Sequence, residues 1–199
     1  MISYASRKHI PQIASIHCDS LPDDFLPHLG KNFLENIFYP AVLQSGQAKL
    51  IIDTDEHDNL TGFIVMTKNS SKFFLELIRK YPVALFFNGI RSSFKSITQF
   101  KRNLEIVYSS LSLKDEVQAG EIYIIAVDKK KRGKGIGKQL ILAGRRYLME
   151  NNICTIKIKT LAKNTLWIDH FMKSGWELIN TISQIGNTYV ILQDDIKIV

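Results

Sequence analysis

Apolar and polar residues follow two periods along the chain, and these divide it into predicted strands and helices. Short alternating or continuous apolar runs predict strands, because successive side chains of a strand point to opposite faces. Apolar residues three or four positions apart predict amphipathic helices. The predicted strands cover residues 2–6, 49–53, 61–67, 121–127, 153–160, 176–182 and 188–193. The predicted helices cover residues 8–19, 29–43, 136–151 and 164–174, with a loop at residues 21–27.

The order of these elements is β-α-α-β-β-insert-β-α-β-α-β-β. Residues 49–53 and 61–67 are separated only by a short polar loop, which predicts a hairpin of neighbouring antiparallel strands. The insert, residues 69–119, is rich in Phe and Leu at helical spacing and is interrupted at Pro82, so two or three amphipathic helices are expected there. We therefore expect one domain over residues 1–199, of α/β (α+β) class, with a mixed sheet and helices on both faces.

Composition excludes several classes of protein. The 199 residues are 45% hydrophobic and 23% charged, which is typical of a soluble globular domain. Cys18 and Cys154 do not make a disulfide framework, and no Cys/His cluster predicts a metal site. Charged residues interrupt residues 1–17, where a signal peptide would be apolar, and also residues 73–90, the most apolar long window. A cytoplasmic protein without a membrane span is expected.

The positive charge is concentrated in one segment. Of 26 Lys and Arg, eight lie within residues 129–146, which contain no acidic residue, so the rest of the chain has 18 basic and 19 acidic residues. A local excess indicates one anionic ligand. Residues 129–138 contain no aromatic side chain of the kind that stacks on bases, so we expect no nucleic-acid partner.

Three alternating glycines, Gly133, Gly135 and Gly137, separate an apolar strand from a helix. Such a turn lets the backbone approach a ligand closely, and the free N–H groups of the helix start favour an anion. A Walker A loop is excluded because Gln139 stands where Ser or Thr is required, and a dinucleotide fingerprint because Lys138 replaces its last glycine. The alternative is a solvated basic turn.

The segment Arg132-x-x-Gly135-x-Gly137, which follows Ile125-Ala126-Val127, resembles the acyl-CoA signature (Q/R)-x-x-G-x-(G/A) of the GCN5-related N-acetyltransferases (GNAT). The resemblance extends over nearly the whole chain in the order of its elements. It implies a GNAT-like, mostly antiparallel central sheet with helices on both faces and a helical insertion between the third and fourth strands.

The resemblance also implies acetyl-CoA as cosubstrate, with no metal. It assigns the loop amides to the pyrophosphate, the edge of strand 121–127 to the pantetheine amides, and the Val127 N–H to the thioester carbonyl. Strand 153–160 should part from strand 121–127 to leave a cleft. Asn164 should contact the pantetheine arm, although its alternative role is a plain helix cap. The implied coenzyme residues are Ile125, Ala126, Val127, Arg132, Gly133, Lys134, Gly135, Ile136, Gly137, Lys138, Asn164 and Phe171.

Amine attack on a thioester requires a proton acceptor, because a primary amine is mostly protonated at neutral pH. By resemblance to the histone-acetylating branch, Glu121 is the expected general base, and its alternative is an exposed residue at a strand start. Phe171 stands where many members have a tyrosine acid, which leaves His170, Tyr123 and Tyr189 as candidate donors.

The expected function is transfer of acetyl from acetyl-CoA to a primary amine of a small molecule. Residues 21–38 resemble front helices of members associated with bacterial polysaccharide pathways, which favours an amino-sugar precursor. Peptide or protein amines, aminoglycosides and acyl-CoA binding without turnover stay open. The insert is expected to form a wall of the acceptor pocket or a homodimer contact; alternatively it only covers the sheet, and residues 21–43 then build that wall.

Overall fold

A seven-stranded mixed sheet organises the computed structural model, which describes residues 1–82, 119–184 and 187–196. The spatial order of the strands is β1-β2-β3-β4-β5-β7-β6. β4 and β5 are parallel and every other neighbouring pair is antiparallel, which confirms the expected mostly antiparallel sheet. The strands are β1 (Ile2–Tyr4), β2 (Ala48–Thr54), β3 (Leu60–Thr67), β4 (Ala119–Val127), β5 (Thr155–Leu161), β6 (Glu177–Gln184) and β7 (Asn187–Asp195).

Helices precede and follow the strands in the predicted order, with two local differences. The segment predicted as a single helix over residues 29–43 is two short helices joined by a π-helical turn, Leu34–Phe38. Pro40 explains the break, because it has no N–H to donate to the Asn36 carbonyl one turn earlier. The predicted loop at residues 21–27 also contains the start of a helix. The helices are α1 (Ile10–Ser20), α2 (Phe25–His28), α3 (Lys31–Phe33), α4 (Tyr39–Gln44), α5 (Ser70–Lys80), α6 (Ile136–Glu150) and α7 (Thr165–Lys173).

The insert begins as predicted. α5 starts after Asn69, whose side-chain oxygen accepts a hydrogen bond of 2.8 Å from the Lys72 N–H and so caps the helix. α5 packs on the sheet through Phe73 and Leu77. The rest of the predicted helical insertion, residues 83–118, lies outside the described residues.

Two separate apolar cores cover the two faces of the sheet, as expected. On the first face, here called the α1 face, α1, α4 and α5 pack against inward side chains of β3 and β4. On the second, the α6 face, α6 and α7 pack against the alternate side chains of the same strands. The α1-face core includes Ile13, Tyr39, Phe63, Phe73 and Ile124, and the α6-face core includes Met66, Ile122, Leu140, Leu148 and Phe171.

Candidate active site

β4 and β5 pair for only part of their length. Their parallel register runs from Ala119 opposite Thr155 to Ile122 opposite Ile158 and then ends, while β5 continues to pair with β7. The break coincides with a β-bulge, since Ile122 and Ile124 oppose successive residues of β3 and the residue between them is extra. The predicted cleft between these two strands is therefore present.

The bulge sets which side chains face each core. Tyr123 and Ile124, although consecutive, both pack on the α1 face, whereas Ile122 and Ile125 pack on the α6 face. The ring of Tyr123 contacts Phe73, with centroids 5.5 Å apart. Burial raises the pKa of the Tyr123 phenol well above its usual value, and the nearby Glu121 charge raises it further.

After the bulge, the direction of the backbone N–H and C=O groups of β4 follows from one hydrogen bond. The Asp128 N–H donates to the Thr61 carbonyl at 2.9 Å, so the backbone groups of Asp128 point toward β3. Because these directions alternate along a strand, the N–H groups of Val127 and Ile125 point away from β3, toward the cleft. The Val127 carbonyl on that side accepts Ser20 Oγ at 3.2 Å and Arg132 Nε at 3.3 Å.

Ala126 has the opposite orientation. It pairs with Phe63, its backbone groups alternate toward β3, and its side chain lies in the α1-face core. Of the three predicted residues at this strand end, Ile125 and Val127 thus direct N–H groups toward the cleft, and Ala126 contributes to the core.

The glycine-rich loop lies next to this strand end. Gly133 and Gly135 have φ of +78° and +76°, which other residues rarely adopt. The first N–H bonded within α6 is that of Gln139, which donates to the Gly135 carbonyl at 3.1 Å. The N–H groups of residues 136–138 accordingly have no acceptor inside the helix and carry the positive end of its dipole. This arrangement fits a phosphate group.

Helix α7 adjoins both the loop and the strand. A Cβ placed on Gly137 would lie 3.5 Å from the Trp167 ring and 4.0 Å from Val127 Cγ2. Trp167 in turn stacks on Phe171 with centroids 5.6 Å apart, and Phe171 is buried against Trp176. The predicted loop and helix residues therefore lie together at one end of the cleft.

The cleft itself has a volume of about 110 Å³. Strand β4 lines one side, β5 with Tyr189 of β7 the other, and α7 one end. Its described lining residues are Leu21, Asp24, Ile122, Tyr123, Ile124, Ile125, Ile158, Lys159, Thr160, Leu161, Asn164, Trp167, Phe171 and Tyr189.

Asn164 differs from a plain helix cap. It occupies the cap position of α7, but its side-chain Nδ2 donates to Thr160 Oγ1 at 3.1 Å, and no backbone N–H bonds to its side chain. The Trp167 and Ile168 N–H groups bond to its backbone carbonyl instead. Asn164 is therefore at the cap position, as expected, but its side chain does not cap the helix, and the carboxamide is oriented by β5 at the edge of the cleft.

The candidate acid and base residues do not all lie at the cleft. Glu121 is half-buried on β4, before the strands part, and it does not line the described cleft. His170 is exposed and also lies outside the lining, so it is not positioned to replace a tyrosine. Tyr123 and Tyr189 both line the cleft, with Lys159 Nζ 5.3 Å from the Tyr189 ring.

The acidic residue of the lining, Asp24, was not identified as a site residue from the sequence. Asp24 stands between α1 and α2, in a segment predicted only as a loop, and it is half-buried in the cleft. Burial and the charge of Asp23 raise the pKa of its carboxyl to about 6. The Pro-Asp-Asp sequence gave no signal for this position, because its burial depends on how α1 and α2 pack against distant strands.

Comparison with protein families gives one match of broad extent. The model of the Acetyltransferase (GNAT) family matches residues 10–176. Among curated proteins, the mycothiol acetyltransferase of Rhodococcus erythropolis is 29% identical over 63 residues, which cover 32% of this chain and 21% of that protein. That of Nocardia farcinica is 28% identical over 75 residues, 38% of this chain and 25% of that protein. The matched region is thus a quarter or less of these two relatives' length.

Solved structures match over the whole fold at low identity. A ribosomal-protein-alanine N-acetyltransferase from Brucella melitensis superposes with a TM-score of 0.64 at 14% identity, covering 98% of this chain and 99% of that one. An N-acetyltransferase from Staphylococcus aureus Mu50 gives 0.64 at 16% identity, covering 99% and 98%. An aminoglycoside 6'-N-acetyltransferase complexed with coenzyme A gives 0.60 at 12% identity, covering 99% and 97%. These likenesses establish the fold.

None of the helices in residues 1–82, 119–184 and 187–196 is long and apolar enough to cross a membrane. Within the same ranges, no three His, Cys, Asp or Glu side chains are grouped so that they could hold a metal ion.

Proposed function

Because the chain belongs to the acetyltransferase (GNAT) family, we propose that it transfers the acetyl group of acetyl-CoA to a primary amine of a small molecule. The observation that carries this proposal is the cleft between β4 and β5, which ends at a loop with free helix N–H groups. A pantetheine arm needs an unpaired strand edge and a pyrophosphate needs an anion site. This chain provides both in adjoining positions.

The residues of the cleft fit coenzyme A. The N–H groups of residues 136–138, with Arg132, Lys134 and Lys138 nearby in the chain, would bind the pyrophosphate. The Ile125 and Val127 N–H groups would bind the pantetheine amide and polarise the thioester carbonyl. Bound acetyl-CoA supplies an activated acetyl thioester. One N–H donor directed at the carbonyl oxygen can lower the reaction barrier by about 3 kcal/mol.

Two observations favour a small acceptor. The curated relatives are named mycothiol acetyltransferases, and residues 21–38, which resemble the front helices of members from polysaccharide pathways, supply lining of the cleft through Leu21 and Asp24. An amino-sugar precursor is the acceptor we favour. The cytoplasmic location, the homodimer contact and the role of the insert stay predictions.

Release of coenzyme A thiol from acetyl-CoA tests the proposal with three amines. Glucosamine, kanamycin and a short peptide with an N-terminal alanine represent an amino sugar, an aminoglycoside and a peptide amine. We expect amine-dependent thiol release that is fastest with glucosamine. Preference for the peptide would show that the acceptor is a peptide or protein. Coenzyme binding without release on any amine would show a non-catalytic acyl-CoA-binding protein.

A further inference from the structure

The gap between β4 and β5 connects the two faces of the sheet. The glycine-rich loop, Trp167 and Phe171 approach it from the α6 face, where α6 and α7 pack. Leu21 and Tyr123 approach it from the other side, because both pack against the α1-face core. The coenzyme site therefore occupies one side of the gap, and an acceptor must enter from the α1 face.

Asp24 is the acidic residue among the described lining of this gap. It occupies the cap position before α2, but its side chain makes no capping hydrogen bond. Within the described part of the chain, its carboxylate has neither a hydrogen-bond donor nor an ion-pair partner. By contrast, the adjacent Asp23 is exposed and pairs with Lys163 Nζ at 3.0 Å. Keeping an unpaired carboxylate half-buried costs folding free energy, unless a ligand supplies it with a hydrogen bond or an opposite charge.

We propose that Asp24 binds the ammonium group of the acceptor and accepts its proton. This inference rests on the proposed acetyltransferase function and adds a catalytic residue to it. The nitrogen must meet the acetyl carbonyl inside the gap, and Asp24 shares the lining of that gap with Ile125. Glu121, by contrast, lies where β4 and β5 are still paired, before the gap opens.

The proton and electron balance of the step is simple. The ammonium N–H bond breaks, its proton passes to a carboxylate oxygen of Asp24, and the electron pair stays on nitrogen. The nitrogen then forms the C–N bond to the carbonyl carbon, and cleavage of the C–S bond leaves an electron pair on sulfur. The second proton lost from nitrogen converts that sulfur to a thiol, and Asp24 returns its proton to water. Ammonium and thioester thus give amide, thiol and one proton.

The charges around Asp24 suit this role. Burial first, and then the charge of Asp23, raise its pKa to about 6, while His28 and Lys163 act in the opposite direction. The other charged or titratable groups that line the gap with it are Lys159, Tyr123 and Tyr189. At pH 7 the carboxyl is mostly ionised and available as a base, and its raised pKa makes it a better proton acceptor than an ordinary aspartate.

The test compares Asp24→Asn with Asp19→Asn, an exposed carboxylate on α1 outside the lining. With glucosamine, or whichever panel amine reacts fastest, Asp24→Asn should lower kcat/KM at pH 7 by about 100-fold or more. The deficit should shrink toward pH 10, where the amine is already neutral. Asp19→Asn should stay within about twofold of the unmodified protein. Asp24→Glu should recover part of the activity.

Two measurements do not depend on turnover. Calorimetric binding of coenzyme A should be unchanged in Asp24→Asn, since the loop lies on the α6 face. Carbon-13 NMR of aspartate carboxyls should show one resonance that titrates near pH 6 and is missing in Asp24→Asn.

Several results would overturn the assignment. Unreduced kcat/KM in Asp24→Asn would exclude the role, as would a deficit that persists unchanged to pH 10. Loss of the acidic limb of the pH profile in Glu121→Gln, but not in Asp24→Asn, would give the role to Glu121. An unmodified protein that acetylates no panel amine would instead refute the proposed function, and the role of Asp24 would fall with it.

Discussion

His17 shows how one buried side chain makes stability depend on pH. Its ring is fully buried between the rings of Tyr39 and Phe63, and its Nδ1 lies 2.8 Å from the Tyr39 hydroxyl. Among the described residues its Nε2 has no hydrogen-bond partner. Burial lowers the pKa of His17 to about 4, because a charged ring would lose its hydration.

We therefore expect acid to destabilise the fold through His17. Its folded-state pKa lies below the unfolded value of about 6.5, so its full contribution is present above that pH and is lost as pH falls toward 4. Between pH 7 and pH 5 the loss should be about 2 kcal/mol.

Urea unfolding of the unmodified protein and of His17→Gln at both pH values measures this difference. The variant retains a polar partner for Tyr39 but does not titrate, and other groups such as Asp24 cancel in the comparison. Equal pH dependence in both proteins would refute the assignment.

Individual residues whose position follows from a local motif could be predicted from the sequence. Gly133 and Gly135 adopt the left-handed backbone that the loop requires, and Phe171 lies in the cleft. Asp24 could not be predicted, because its burial results from packing between segments far apart in sequence. The Asn164 side chain likewise bonds to β5, which no local capping rule anticipates.

Among the elements, α6 lies unusually close to the sheet. A Cβ on Gly120 of β4 would lie 2.5 Å from two methyl carbons of Leu148, and one on Gly144 would lie 2.6 Å from Met66 Sδ. Glycine at both positions lets the helix that begins at the glycine-rich loop pack directly over β3 and β4. The helix thereby fixes the loop relative to the cleft.

Gly120→Ala should consequently destabilise the protein by about 1–3 kcal/mol, because Leu148 must leave its position in a packed core. Chemical denaturation measures the change. Gly46→Ala is the matched control, since a Cβ there would have no neighbour within 4 Å. Equal stability of the two variants would show that α6 does not need this close approach.

Strand and helix order followed from hydrophobic periodicity, since each element buries one face on a core. The bulge in β4 could not be predicted, because residues 121–127 form a nearly continuous apolar run without a side-chain period to show where it slips. The π-helical turn before Pro40 was missed for a related reason, as its apolar spacing resembles that of an ordinary helix.

For the molecule as a whole, the basic segment at residues 129–146 includes the loop and the first turns of α6. Coenzyme A affinity should therefore fall as ionic strength rises, because salt screens exposed charges over about 10 Å at 0.1 M. Lys134→Gln with Lys138→Gln should weaken binding and flatten this salt dependence. Lys72→Gln, on α5 of the opposite face, should change neither quantity. Calorimetry at two salt concentrations measures the affinity and its salt dependence. If the double variant kept the salt dependence of the unmodified protein, the phosphates of coenzyme A would have to bind elsewhere.

Calorimetric titration of coenzyme A into three proteins tests most directly whether the cleft and its loop are the coenzyme site. Gly135→Asp places a carboxylate at a position of φ +76° beside the free helix N–H groups, whereas Gly46→Asp adds the same charge at a distant turn. The new carboxylate repels the phosphate charges, and because a left-handed aspartate costs about 1–2 kcal/mol, the free loop is expected to relax away from the binding conformation. Gly135→Asp should therefore weaken binding at least tenfold. The unmodified protein and Gly46→Asp should bind alike. Equal affinity in all three, or no binding by the unmodified protein, would contradict the account.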